Sequence, residues 1–186
     1  MKKTIGTLLL SLFLLSACTT PSASDAASYS LGNDDAKVTI QEFSDLECPA
    51  CGFISPMVAA FVRANPTLAR LEFYHYPLSY HEFAFVGAES AECAGEQGKF
   101  FEYTDIVYAN QDSLSEDYLK NVAEGLGLNM DNFNTCVDEH RYKEKILSHM
   151  AEGSRMGLKG TPSLYIDGQL IQWAGDEAMK EYLESL

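Results

Sequence analysis

Two cysteines separated by a proline and an alanine, Cys48-Pro49-Ala50-Cys51, are the residues of this chain best placed to do chemistry. A pair at this spacing can cycle between dithiol and disulfide. The segment before the pair reads as a strand, and the segment after it reads as a helix. At a helix start the unpaired N–H groups and the positive dipole end favour an anion. A thiolate there has a lowered pKa and leaves more readily. Pro49 suits the first turn, where its missing N–H removes no bond. Cys48 lies nearest the free N–H groups and is the expected nucleophile. Cys51, one turn on and more buried, would resolve a mixed disulfide. Two other readings stay open. One is a structural disulfide, although so short a loop gains little from cross-linking. The other is a zinc half-site completed by Cys93 and Cys136, although these are distant single cysteines without a second C-x-x-C.

The elements around the motif follow from periodicity. Lys37-Val-Thr-Ile-Gln-Glu-Phe43 alternates and is β-branched, which predicts a strand. Residues 51–64 predict a helix that stops near Asn65-Pro66. Leu71 to Tyr76 predicts a second strand, closed by Pro77. A helical block runs from 82 to 158, in segments at about 82–97, 99–109, 115–126, 130–137 and 139–157. Ser163–Ile166 and Gln169–Trp173 flank Asp167-Gly168, a strong hairpin signal. Residues 176–186 predict a closing helix. With 186 residues, 46% apolar and 22% charged, the chain fits one ordinary globular domain. The order makes it an α/β domain interrupted by roughly 75 helical residues.

Four features beyond the C-x-x-C resemble the DsbA-like branch of the thioredoxin superfamily. Glu42 lies six residues before Cys48, where that superfamily places a buried acid. Pro56 lies five residues after Cys51, where its members bend the first helix. A helical block interrupts the thioredoxin order. Gly160-Thr161-Pro162-Ser163 resembles the cis-proline loop ahead of the hairpin. The stretches 74–78 and 91–100 also look like bacterial members, and the resemblance covers about residues 36–185. It implies an α/β thioredoxin fold with an inserted helical domain. The thioredoxin part would be about 36–80 and 159–186, and the insertion about 81–158.

The resemblance also implies an extracytoplasmic thiol–disulfide oxidoreductase, in first place an oxidase that introduces disulfides. Cys48 and Cys51 would be catalytic, with Glu42, Pro49, Ala50, Thr161 and Pro162 supporting them. Thr161 and Pro162 would meet an extended substrate strand. Glu42 could exchange protons with Cys51 through water, unless it faces solvent. The substrates would be protein thiols or disulfides, with a redox recycling partner such as a membrane protein. No cofactor or metal is expected beyond the Cys48–Cys51 pair. Reductase or isomerase activity remains open, because no His separates the cysteines to favour the thiolate. A metal-binding lipoprotein that has kept the fold alone is a third reading. Without a separate dimerisation domain ahead of residue 36, a monomer is expected.

Some DsbA-like proteins carry a second bridge. Cys93 and Cys136 are the pair left for it if they are oxidised, in place of two separate buried thiols. The loop would hold 44 residues, a chain-entropy gain of roughly 4 kcal/mol. His75 and His81 are read as structural or surface residues. Phe83, Phe85, Phe100, Phe101 and Tyr103 are read as core, and Glu89, Glu92 and Glu96 as a solvated helix face.

The N-terminus reads as an address. Lys2 and Lys3 precede an apolar run from Ile5 to Leu15, shorter than the roughly 20 residues a spanning helix needs. Leu15-Ser16-Ala17-Cys18 resembles a bacterial lipobox, which implies lipid on Cys18 and a signal peptide at 1–17. Residues 18–35 then read as a lipidated tether holding the protein to a membrane of the bacterial cell envelope. The alternative is an ordinary signal peptide that happens to contain a cysteine. The full chain has 13 basic and 27 acidic residues, a net charge of −14. Removing 1–17 leaves 11 basic residues against 27 acidic, or −16. Such a surface repels phosphate backbones, which argues against nucleic acid as a partner.

Overall fold

The structure, a computed structural model, describes residues 29–186. The expected signal peptide, Cys18 and the first part of the tether lie outside the described residues. A five-stranded sheet forms the centre, from β1 (Tyr29–Leu31), β2 (Val38–Ser44), β3 (Ala69–His75), β4 (Ser163–Ile166) and β5 (Gln169–Leu170). The order across it is β1-β3-β2-β4-β5. β2 and β3 are parallel, and the other three pairings are antiparallel. The parallel pair is joined by a crossover through α1 (Pro49–Ala64), as a parallel connection requires.

The helical block between β3 and β4 comprises α2 (Ala84–Gly95), α3 (Phe100–Tyr108), α4 (Glu116–Gly125), α5 (Met130–Asp138) and α6 (Lys143–Arg155). A short 3-10 turn, Gln111–Ser113, comes after α3, and α7 (Asp176–Glu184) closes the chain. Strand alternation sorts the core. Ile40, Leu71, Leu164 and Ile166 pack with Ile54, Val58 and Val62 of α1 and Met179 and Leu183 of α7. Phe43, Tyr74 and Tyr165 form a second cluster with Leu158. A third cluster centres on the inserted helices and reaches Cys48, Cys51 and Phe73. The result is a mixed α/β sheet of the thioredoxin kind with a helical insertion.

The structure departs from the sequence expectations in three places. Tyr29–Leu31, expected within the tether, is an edge strand paired with β3. Its alternation fits the edge, and the Tyr29 ring stacks on Phe100 at 4.4 Å. The second hairpin strand stops at Leu170, short of Trp173. Its turn takes positive φ at Asp167 (47°) and Gly168 (79°), the two-residue geometry that asparagine, aspartate and glycine favour. Finally, Glu89 and Glu92 are buried, against the expectation of a solvated face. They sit on α2, which is packed on most sides, and they have partners from other elements. Glu92 meets His75 at 3.2 Å and Lys145 at 3.0 Å, and Glu89 meets His140 at 3.0 Å.

Candidate active site

β2 delivers the chain to a tight turn, and α1 starts directly after it. The Cys48 N–H donates to the Asp45 carbonyl at 3.2 Å, and Cys48 is the N-cap with Pro49 at the helix start. The first turn of α1 carries no acidic residue, so its dipole is unopposed there. Cys48 is 7% exposed and Cys51 fully buried, both as free thiols. Cys48 Sγ lies 3.3 Å from the Thr161 carbonyl oxygen, and the Thr161–Pro162 peptide is cis.

The two thiols are driven apart. A hydrogen bond from Cys51 pulls the Cys48 pKa down to about 5, against the opposing effect of burial. The Thr161 side chain and the backbone N–H groups of Cys51 and Ala50 add to the pull. Burial, then the neighbouring Cys48, pushes Cys51 well above the ordinary thiol value. One sulfur is therefore suited to be thiolate at neutral pH and the other to hold its proton.

Below the pair lies a buried polar chain. Glu42 has no exposed surface, and burial raises its carboxyl to about 7 against hydrogen bonds from Ser55 and Ser44. The Ser55 hydroxyl donates to Glu42 Oε1. Ser55 Oγ is 2.9 Å from Ser44 Oγ, which is 2.8 Å from the Tyr108 hydroxyl. Ser44 also pulls the Cys51 pKa down, against the larger push of burial. Glu42, Ser55, Thr104, Asp105 and Tyr108 border a cavity of about 10 Å³. That is on the order of the space one water needs.

Other side chains lock the turn. Gln111 Nε2, from the inserted block, donates to the carbonyls of Leu46 and Cys48 at 2.9 Å each. Asp45 accepts from the N–H groups of Glu47 and Leu78 at 2.8 Å and meets His81 Nδ1 at 2.8 Å. Beside Cys48, Thr161 and Pro162 line an open groove of about 440 Å³ with Leu158, Ile171 and Trp173.

Thus Cys48, Cys51, Glu42, Pro49, Ala50, Thr161 and Pro162 belong to one neighbourhood. Pro56 lies within α1, which continues to Ala64. Cys93 and Cys136 stand apart from it, joined by a disulfide (S–S 1.97 Å) between α2 and α5. They are therefore not available to complete a four-thiolate zinc site with Cys48 and Cys51. Among the described residues no group of three or more His, Cys, Asp or Glu side chains is placed to hold a metal ion. His75 is buried against Glu92, and His81 braces Asp45. Sequence reasoning missed Ser44, Ser55, Tyr108 and Gln111. Two of these left a signal: Ser44 lies one strand period after Glu42, and Ser55 lies one helical turn after Cys51.

Comparison with known proteins agrees with this architecture. The chain resembles BdbD from Bacillus subtilis in its oxidised form, with TM-score 0.72, 20% identity, and coverage of 89% of this chain and 94% of that one. It resembles a thioredoxin-like oxidoreductase from Silicibacter pomeroyi with TM-score 0.71, 23% identity, and coverage of 87% and 95%. Among curated relatives, the Na(+)/H(+) antiporter NhaA 3 of Salinispora tropica is 34% identical over 139 residues, 74% of this chain. The match spans only 21% of that relative's length. A family model described as Thioredoxin matches residues 24–185. This chain belongs to the thioredoxin family and carries its DsbA-like fold.

Proposed function

We propose that this protein is a thiol–disulfide oxidoreductase that exchanges a Cys48–Cys51 disulfide with protein thiols. The observation that carries the reading is the split between the two sulfurs. Cys48 is acidic at the start of α1 beside the Thr161 carbonyl, while Cys51 is buried and holds its proton. In the oxidised enzyme a substrate thiolate attacks Cys48. The Cys48–Cys51 bond breaks, and its electron pair leaves on Cys51. A second substrate thiol then attacks the mixed disulfide and releases reduced Cys48, and the substrate leaves with a new disulfide. The groove beside Thr161 and Pro162 suits an extended peptide.

The direction we favour is oxidation. A stabilised Cys48 thiolate stabilises the reduced enzyme, which raises the reduction potential. The protein would act outside the cytoplasm, tethered to the envelope by lipid on Cys18 and recycled by a redox partner. The lipobox-like Leu15-Ser16-Ala17-Cys18 supports the anchor. Among the described residues no helix is long and apolar enough to cross a membrane.

The test is a reduced, unfolded protein substrate with several thiols. Oxidised wild-type protein is expected to generate disulfides in it, and Cys48→Ser to generate none. Given a disulfide-bearing substrate instead, Cys51→Ala is expected to accumulate a mixed disulfide, because Cys48 attacks the substrate bond, one substrate thiol leaves, and no Cys51 is present to release the enzyme. Equal turnover by Cys48→Ser would defeat the mechanism. A reduction potential near the value of about −270 mV typical of thioredoxin would assign the reductase direction instead.

A further inference from the structure

The proton that Cys51 must gain and lose has a route without a water molecule. Glu42 is the carboxylate beneath the pair, and two serine hydroxyls bridge it to Cys51. Ser55 donates to Glu42 Oε1, and Ser55 Oγ lies 2.9 Å from Ser44 Oγ. Ser44 in turn neighbours Cys51 and pulls the pKa of that thiol down against burial. All of these groups are buried. The Tyr108 hydroxyl, 2.8 Å from Ser44, fixes the rotor of that serine. Burial keeps Tyr108 a neutral phenol, so it holds Ser44 without competing as a base.

We propose that Ser44 and Ser55 form a hydroxyl relay that passes the proton between Cys51 and Glu42, with Tyr108 as a positioning residue. Each serine can accept on one side and donate on the other, which a relay requires. When substrate opens the Cys48–Cys51 disulfide, Cys51 leaves as a thiolate. Glu42, protonated, gives its proton to Ser55. Ser55 passes its own proton to Ser44, and Ser44 passes its own to Cys51. The serines end as they began, Glu42 becomes a carboxylate, and Cys51 becomes a thiol. When Cys51 attacks a mixed disulfide on Cys48, the same protons move in reverse. The Cys51–Cys48 bond then forms, and the electron pair of the broken bond leaves on the other sulfur.

The groups that face this path can be named. From α1 they are Cys51 and Ser55, with Cys48 at its N-cap. From α3 they are Tyr108 and Asp105, and Asp105 is held by Arg63 of α1 at 2.7 Å. From β3 they are the uncharged Leu71 and Phe73.

The inference rests on the thiol–disulfide reading, and one experiment separates the two. Reduced protein is mixed with glutathione disulfide, quenched in acid at intervals, and weighed. Attack by Cys48 gives a glutathionylated intermediate, and attack by Cys51 removes it. Above pH 6 the first step should be flat, because Cys48 is already thiolate. In wild type the second step should rise through an inflection near pH 7, where Glu42 becomes an acceptor. In Ser44→Ala and Ser55→Ala the second step should slow by roughly 10²-fold and lose that inflection. Ser44→Thr, which keeps a hydroxyl, should restore both. The first step serves as the internal control for folding. A second step of wild-type rate and pH profile in both alanine variants would overturn the relay, as would equal slowing of both steps. Failure of wild type to form any intermediate on Cys48 would instead defeat the thiol–disulfide reading.

Discussion

The Cys48 sulfur and the Thr161 carbonyl oxygen meet at 3.3 Å, although 113 residues separate them. This contact joins the start of α1 to the loop before β4. It puts the Thr161 side chain beside the sulfur as well, where it helps lower the Cys48 pKa. The Thr161 hydroxyl is buried and has no hydrogen-bond partner while Cys48 is a thiol, so it is free to donate to the thiolate. Removing it with Thr161→Val leaves the backbone contact and deletes one donor to the thiolate. A hydrogen bond to a charged group contributes about 1.5–3 kcal/mol, so the Cys48 pKa should rise by roughly one to two pH units. Thiolate absorbance at 240 nm against pH measures it. An unchanged midpoint near 5 would show that the hydroxyl contributes nothing.

Glu42 should make the fold less stable as pH rises. Its carboxyl titrates near 4.5 in an unfolded chain and near 7 when folded. Between those values the native state binds more protons than the unfolded one, so stability falls with increasing pH. The stability is whole below 4.5 and lost through 7, at most roughly 3 kcal/mol from the shift. Glu42→Gln should remove this slope and exceed wild type above pH 7. The measurement belongs on the oxidised protein, where Cys48 and Cys51 do not titrate. Parallel urea midpoints for the two proteins from pH 4 to 8 would refute it.

Much of this was legible in the residues, and the limits have physical causes. The strand before Cys48 and the helix after it follow from alternation and from proline placement, both local signals. The Asp167-Gly168 hairpin is local too. Glu89 and Glu92 are buried where their charge suggests a solvated face, because Lys145, His75 and His140 from other elements sit against them. Nothing at positions 89–92 announces those partners. Ala88, Ala91 and Ala94 make α2 small enough to be surrounded, so a charged sequence could still be central. Tyr29–Leu31 was hidden for a related reason. A three-residue edge strand has too little periodicity to stand out from a Ser- and Ala-rich stretch. Gln111 carries no signal, since its role comes from the fold bringing it to Leu46 and Cys48.

Gln111 should matter more than a half-exposed glutamine usually does. Its amide nitrogen holds two carbonyls on either side of the redox turn, and its oxygen side covers Gly52. Gln111→Ala frees both carbonyls and should destabilise the domain by about 1–2 kcal/mol. It should also raise the Cys48 pKa, because the sulfur is then less firmly held at the helix start. Gln111→Glu should be worse, since a carboxylate would face two carbonyl oxygens and the thiolate. Thermal midpoint and 240 nm titration test both statements. Equal behaviour of the alanine and glutamate variants would contradict this role.

The Cys93–Cys136 bridge should govern stability and leave redox chemistry nearly untouched. Both cysteines are buried within the inserted block and join elements 43 residues apart in sequence. Opening so long a loop in the unfolded chain favours unfolding by a typical 2–4 kcal/mol, with about 4 from the chain-entropy formula. Loss of the bridge loosens α2 against α5. The contacts that set the Cys48 thiolate come instead from α1 and Thr161. A Cys93→Ala, Cys136→Ala double variant should therefore unfold at lower urea. Its Cys48–Cys51 reduction potential should stay within about 10 mV of wild type, less than half of the roughly 30 mV equivalent to a tenfold change. Replacing both cysteines avoids a stray thiol that could exchange with the active pair. A large shift in potential with unchanged stability would reverse the assignment and make the bridge part of the redox site.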